Sequence, residues 1–167
     1  WLTPTFDATT QASVIEMMTS SPKDLEESFY KNLEFGTRAM RPVMGVGNNR
    51  INKYTLGKST QGLSDYLKIA FPNQPLKAVI AFDCRHNSKS LAKLVADVFS
   101  ANGIQVYLFS DLRPTPELSF ALKYLPPVST AISVKSFSSI ETFSFCITTP
   151  SGVFTGWGAK PSEPTPI

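Results

Sequence analysis

Residues 78–82 (AVIAF) are apolar at every position, and few folds can accommodate such a segment. A run without alternation between apolar and polar residues predicts a strand buried on both faces, as in parallel sheets. It is followed by a helical pattern over 90–101, a second predicted strand at 104–109 (IQVYLF), and a helix opened by Thr115 and Pro116. This β–α–β–α order predicts a layered, three-layer α/β domain with a mostly parallel mixed sheet.

The residues before this strand are predicted to be mostly helical. Apolar side chains recur at helical spacing in 7–19 and again in 53–70. Between them, Ser21 and Pro22 are typical of a helix start, and that helix is expected to end near Asn32.

The end of the chain has a different character. Residues 128–134 could form one more strand, but 136–144 is rich in Ser and Phe without a clear period, and the last residues are rich in proline. We therefore expect an N-terminal helical extension over 1–34, an α/β domain over 35–135 and a divergent, irregular tail over 136–167.

Composition and motifs argue against several function classes. The net charge is +3 with scattered basic residues, which predicts no nucleic-acid surface. No stretch approaches the roughly 18 apolar residues that a membrane helix needs. Gly45–Gly47 lacks the third glycine of a dinucleotide site. Cys84 and Cys146 form no zinc pattern, and Cys84 is expected to be a reduced, buried thiol in the cytosol.

Two loops are the candidate ligand site, because ligands of layered α/β domains bind at the carboxyl ends of strands. Residues 83–88 follow the first strand and 111–117 follow the second. Arg85 and Arg113 are planar cations suited to phosphate or carboxylate groups. The alternative is that Asp83 and Arg85 only brace a loop and that Arg113 is a solvated surface residue. His86 is more typical of a loop or helix start than of a catalytic base.

Several motifs, in order and at matching intervals, make residues 1 to about 125 resemble the first domain of the phosphoglucomutase/phosphomannomutase (phosphohexomutase) family. The segment 34–45 (EFGTRAMRPVMG) is similar to the family's glycine-rich opening motif. The match continues through five further segments, which are 45–55, 60–63, 83–88, 100–109 and 112–121.

The resemblance implies a phosphoryl transfer between the 1- and 6-positions of a hexose through a phosphoserine. It implies hexose phosphate and hexose 1,6-bisphosphate as ligands, Mg²⁺ as cofactor, further mutase domains as partners and a cytoplasmic location. The main Mg²⁺ and sugar ligands belong to later domains, so phosphorylated Ser136 is the one metal ligand that this chain would add. The site residues implied are Ser136 and Arg41 for catalysis, Thr37, Arg85, His86 and Arg113 for substrate or phosphate binding, and Asp83 as a structural brace.

The chain also departs from the family pattern. Arg38, Ala39 and Pro42 stand where the family has glycines that permit unusual backbone angles. Counting on from Leu125 places Ser136 at the nucleophile's position, but VKSFSS replaces the family's TASHNP. Residues 126–167 therefore fit a shifted reading frame, an alternative exon or a divergent tail equally well.

Two hypotheses follow. The chain is either the first domain of a hexose-phosphate mutase, incomplete as a catalyst by itself, or a noncatalytic relative that binds a phosphosugar or a partner protein. In the first case we expect Arg41, Arg85 and Ser136 to converge on one cleft.

Overall fold

The computed structural model describes residues 1–33, 43–84, 87–124, 130–137, 142–149 and 152–154. The described helices are α1 (Ala8–Ser20), α2 (Pro22–Phe29), α3 (Lys53–Ala70), α4 (Ser88–Ala101) and α5 (Thr115–Tyr124). The strands are β1 (Lys77–Phe82), β2 (Gln105–Leu108), β3 (Thr130–Phe137), β4 (Thr142–Thr149) and β5 (Gly152–Phe154). Within these segments, no helix has both the length and the apolar character that crossing a bilayer requires.

The helix ends follow from local sequence. The Asp7 carboxylate caps α1 by accepting a hydrogen bond from the Thr10 N–H at 2.7 Å. Asn52 caps α3 in a reciprocal box with Thr55. Pro22 occupies the start of α2, where its missing N–H costs nothing. The helices predicted from periodicity are thus confirmed, with no end shifted by more than about three residues.

The sheet has the order β2-β1-β3-β4-β5. β1 pairs in parallel with β2 on one side and with β3 on the other. β4 and β5 continue the sheet in antiparallel fashion. The expected α/β class is confirmed, with a parallel centre and an antiparallel extension.

Two apolar clusters on either side of β1 create three layers. Ile80 and Phe82 on one face pack into a core with residues of α3 and α4, including the fully buried Phe99. Val79 and Ala81 on the other face pack with Leu118 of α5. Since β1 is buried on both faces, its unbroken apolar sequence is explained.

The C-terminal part differs from expectation. We expected irregular structure throughout 136–167, whereas 142–149 and 152–154 form β4 and β5. Residues 142–149 (TFSFCITT) alternate polar and apolar side chains, which suits a strand with one apolar face. The window 136–144 hid this pattern because it joins the end of β3 to the start of β4.

The N-terminal extension is anchored on the start of α3 by an aromatic cluster. Trp1 stacks on Phe6 with ring centroids 4.6 Å apart, and Tyr54 contacts both rings edge-on. Beside the cluster, Lys53 forms an ion pair with Asp7. The ion pair with Lys53 and the hydrogen bonds from Thr10 hold the pKa of the Asp7 carboxyl well below its usual range.

Replacing Asp7 by asparagine is expected to make stability less dependent on pH in the acid range. The folded-state pKa of Asp7 is depressed, so the stabilisation is present above the unfolded pKa of about 4 and is lost as pH falls further. Urea unfolding at a series of pH values measures this. The difference between wild type and Asp7→Asn should shrink below about pH 4. A constant difference, or equal behaviour of Glu16→Gln on the same helix, would contradict the assignment.

Candidate phosphate-binding cleft

A cleft of about 700 Å³ opens at the carboxyl ends of β1 and β2, where the sequence predicted a ligand site. Its apolar part consists of Phe82, Leu108, Phe109 and Leu112, and its polar wall comes from the loop after β1 and the first turns of α4. The polar lining residues are Asp83, Cys84, Asn87, Lys89, Ser90, Lys93 and Ser110.

The loop after β1 is tied to the start of α4. The Asp83 N–H donates a hydrogen bond to the hydroxyl of Ser88, which is completely buried. Asn87 has a left-handed backbone with φ of 59°, a conformation that asparagine tolerates better than most residues. These two features bring the helix start back to the sheet edge.

Cys84 was expected to be buried, but its thiol is free and exposed and lines the cleft. It follows the last residue of β1 by two positions, so it lies beyond the buried strand rather than within it. The apolar run therefore predicted burial for β1 but not for the residues that follow its end.

Basic residues on α4 give the cleft its charge. Lys89, Ser90 and Lys93 lie on one face of the first two turns, as their spacing requires. The Lys89 Nζ lies 5.8 Å from the centroid of the Phe82 ring. The Lys93 Nζ lies 3.1 Å from a carboxylate oxygen of Asp97, and both side chains are largely exposed. These residues were not predicted from the sequence, although they directly follow the candidate phosphate loop 83–88.

Arg113 lies at the same sheet edge but its side chain does not line the cleft. The backbone N–H of Arg113 donates to the Phe82 carbonyl at 3.1 Å. This bond joins the loop after β2 to the end of β1. The Arg113 Nε lies 3.0 Å from a carboxylate oxygen of Glu117, and its guanidinium lies 5.9 Å from the Phe109 ring centroid. The Arg113 guanidinium is thus held beside Glu117 and the Phe109 ring, outside the lining of the cleft.

Ser136 lies in β3 at the same edge of the sheet. Val134 is the parallel partner of Phe82, the last residue of β1, so Ser136 lies two residues beyond the last pair of these strands. On its other side, Ser136 pairs with Phe143 of β4. The backbone thus places Ser136 at the carboxyl edge of the sheet, within a strand rather than in a loop.

The remaining predicted site residues, Thr37, Arg41, Arg85 and His86, lie outside the described residues. Convergence of Arg41, Arg85 and Ser136 therefore stays a prediction. Within the described segments, no three His, Cys, Asp or Glu side chains lie close enough to hold a metal ion. The described residues therefore do not form a complete Mg²⁺ site by themselves.

Residues 32–135 match the sequence profile described as "Phosphoglucomutase/phosphomannomutase, alpha/beta/alpha domain I". The matched range contains β1, both cleft loops, α4 and α5. It leaves out most of the N-terminal extension and everything from Ser136 onward.

Curated relatives show the same partial match. The phosphoglucomutase of Staphylococcus haemolyticus is 38% identical over 100 residues, which cover 60% of this chain and 18% of the relative. The human phosphopentomutase is 39% identical over 110 residues, covering 62% and 18%. The phosphoglucomutase of Staphylococcus aureus strain MRSA252 is 33% identical over 139 residues, covering 79% and 25%. The chain thus spans 18–25% of the length of these relatives.

Proposed function

Because the chain belongs to the phosphoglucomutase/phosphomannomutase family through its alpha/beta/alpha domain I, we propose that it supplies the first domain of a sugar-phosphate mutase. In this role the cleft at the carboxyl edge of the sheet binds a phosphoryl group of the substrate. Complete turnover requires the further domains that this chain does not match.

The observation that carries the proposal is the basic wall of the cleft. Lys89 and Lys93 project from the N-terminal turns of α4, where backbone N–H groups and the helix dipole also favour negative charge. The Ser90 hydroxyl donates to the Asn87 carbonyl at 2.9 Å and so stabilises the start of this helix. A phosphate monoester carries two negative charges and several acceptor oxygens, so it is the ligand class that this combination suits best.

The proposed chemistry is phosphoryl transfer through Ser136. A sugar hydroxyl oxygen attacks phosphorus, the bond between phosphorus and the serine Oγ breaks, and the hydroxyl proton ends on the released serine oxygen. Such transfers depend mainly on positioning and on neutralising oxygen charge. Lys89, Lys93 and Arg41 are the cations proposed for that task, and Mg²⁺ held mainly by later domains would add to it.

The substrate proposed is a hexose monophosphate, with hexose 1,6-bisphosphate as the activating ligand. A pentose phosphate is the alternative, since the human relative is named a phosphopentomutase. The partner is the remainder of the mutase in the cytoplasm. Leu108 and Leu112 are 40% and 50% exposed beside the cleft, as expected where another domain makes contact.

A noncatalytic binding module is the second candidate. Ser136 lies inside a strand that pairs with β4, and a strand restrains the backbone at the position that a phosphoryl carrier would occupy. The loss of the family's glycines at 38, 39 and 42 points the same way. In this case the cleft binds a phosphosugar without covalent transfer.

Intact mass and phosphopeptide mapping separate the two candidates. After incubation of the purified chain with glucose 1,6-bisphosphate and Mg²⁺, the catalytic proposal expects one added phosphate on Ser136 and none in Ser136→Ala. Binding without added phosphate would leave only the noncatalytic module. No binding at all would remove both.

Removing the basic wall is expected to weaken binding. The double substitution Lys89→Ala with Lys93→Ala should raise the Kd for glucose 1,6-bisphosphate about tenfold or more, because each charge-assisted contact contributes roughly 1.5–3 kcal/mol when fully formed. Calorimetric titration at low salt measures this. Lys58→Ala, an exposed lysine of α3 outside the cleft, is the matched control and should bind like wild type. Equal affinities in all three proteins would show that the phosphate binds elsewhere.

A further inference from the structure

One peptide unit at the end of β1 is hydrogen-bonded to structure on both sides of the cleft. The Phe82 carbonyl accepts a hydrogen bond from the backbone N–H of Arg113, in the loop after β2, at 3.1 Å. The N–H of the same peptide unit belongs to Asp83, and it donates to the Ser88 hydroxyl of α4 at 3.2 Å. The C=O and N–H of a trans peptide point in opposite directions. This single unit therefore connects the loop after β2 to α4 across the end of the strand.

The bond to α4 depends on one side chain. Ser88 is the first residue of α4 and is completely buried. The same helix start also has bonds of its own, because the Leu91 N–H and the Ser90 hydroxyl donate to the Asn87 carbonyl, both at 2.9 Å. Those two bonds lie within the first turn of the helix. The Ser88 bond differs from them in attaching this turn to the sheet.

Lys89 directly follows Ser88, so its direction depends on how the first turn of α4 lies on the sheet. Lys89 lines the cleft, and its Nζ lies 5.8 Å from the centroid of the Phe82 ring. That ring is 3% exposed and belongs to the larger core, which fixes its position. The end of β1 thus contacts the helix start twice, through the Phe82 ring below Lys89 and through the backbone bonded to Ser88.

We propose that Ser88 is a positioning residue for phosphate binding: its buried hydroxyl, bonded to the Asp83 N–H, fixes the start of α4 so that Lys89 faces the cleft. This inference rests on the proposed function, in which Lys89 neutralises phosphate oxygens. Ser88 acts through Lys89, since it is completely buried and does not line the cleft. In a site that depends on orientation, a misplacement of about 1 Å can cost up to a hundredfold. Loss of this one attachment is therefore expected to weaken binding several-fold.

A double-mutant cycle on the full chain tests the proposal by calorimetric titration with glucose 1,6-bisphosphate. Ser88→Ala and Lys89→Ala are each expected to raise the Kd about fivefold. If Ser88 acts through Lys89, the double variant binds about as weakly as Lys89→Ala alone, because no ammonium is left to position. Independent effects would instead multiply to roughly 25-fold. Such multiplication, or an unchanged Kd in Ser88→Ala, would overturn the proposal.

Ser64→Ala is the matched control. Ser64 is also a completely buried helix residue, and its hydroxyl donates to the Thr60 carbonyl at 2.8 Å within α3. It does not line the cleft, so its variant should bind the bisphosphate like wild type although it loses a buried hydroxyl as well. Equal weakening in the two serine variants would assign the effect to general destabilisation and overturn positioning.

Nuclear magnetic resonance of the ligand-free protein separates this inference from the proposed function. Wild type should show Overhauser contacts between the Lys89 side chain and the Phe82 ring, together with slow exchange of the Asp83 amide. Ser88→Ala should lose both signals and Ser64→Ala should keep them, whereas unchanged signals in Ser88→Ala would overturn the proposal. If wild type binds no bisphosphate, the proposed function fails, and these signals still decide whether Ser88 positions Lys89. Should Ser88→Ala not fold, Ser88→Cys supplies a weaker hydrogen-bond acceptor and carries the same expectations.

Discussion

Replacing Gly47 by alanine is expected to destabilise the protein by about 2–4 kcal/mol, because strain and overpacking coincide at this position. The backbone has a φ of +128°, which residues with a side chain rarely adopt, and the new Cβ would overlap the Ser28 carbonyl oxygen. That oxygen belongs to α2 and accepts a hydrogen bond from the Asn49 N–H, so it cannot move away without breaking this bond. Urea unfolding followed by circular dichroism measures the loss.

Gly57→Ala is the matched control for this prediction. Gly57 lies within α3, and apart from the surrounding helix backbone no heavy atom lies within 4 Å of a Cβ built at this position. Alanine should stabilise the helix there by about 0.5–1 kcal/mol. If Gly47→Ala were as stable as wild type, the close contact between Gly47 and Ser28 of α2 would be incorrect.

Replacing Phe99 by alanine is expected to cost about 3–5 kcal/mol, since it removes a large side chain from the centre of the larger core. Phe99 is fully buried on α4, among residues of α3 and β1. The same substitution at Phe120, which is 57% exposed on α5, should cost well under half as much. Comparable losses in the two variants would mean that the α3–α4 layer does not cover the sheet as described.

The surroundings of Phe99 could be predicted from the sequence, whereas those of Gly47 could not. The position of Phe99 follows from helical spacing in 90–101, and the burial of β1 follows from its unbroken apolar run. These elements were predictable because the same pattern governs local structure and packing. The close approach of Gly47 to α2 was not, because it depends on a contact between residues nineteen positions apart.

The location of the cleft was predictable from the sequence, but several of its lining residues were not. The carboxyl ends of β1 and β2 do form a cleft, as the rule for α/β sheets requires. The lysines of α4 and the exposure of Cys84 were missed, since both depend on how the loop after β1 turns back at Asn87. Arg113 was placed at the correct edge, but its pairing with Glu117 is a side-chain choice that spacing alone did not decide.

The C-terminal strands β4 and β5 were not predicted from the sequence. β4 pairs with β3 through backbone contacts, and its alternating pattern is a weak signal in a segment rich in serine and phenylalanine. Ser136 therefore changed from a candidate loop residue to a strand residue when the register became known. Whether Ser136 accepts a phosphoryl group in this strand is tested by the phosphopeptide mapping.

Nuclear magnetic resonance titration of the ¹⁵N-labelled chain with glucose 1,6-bisphosphate tests the central claim, that the carboxyl edge of the sheet binds a sugar phosphate. The account predicts saturable shifts in the amides of 83–93 and 108–113, with the Lys89→Ala, Lys93→Ala variant requiring about tenfold more ligand. Shifts confined to other surfaces, or none at millimolar ligand, would contradict the assignment of this cleft and with it the proposed role of the domain.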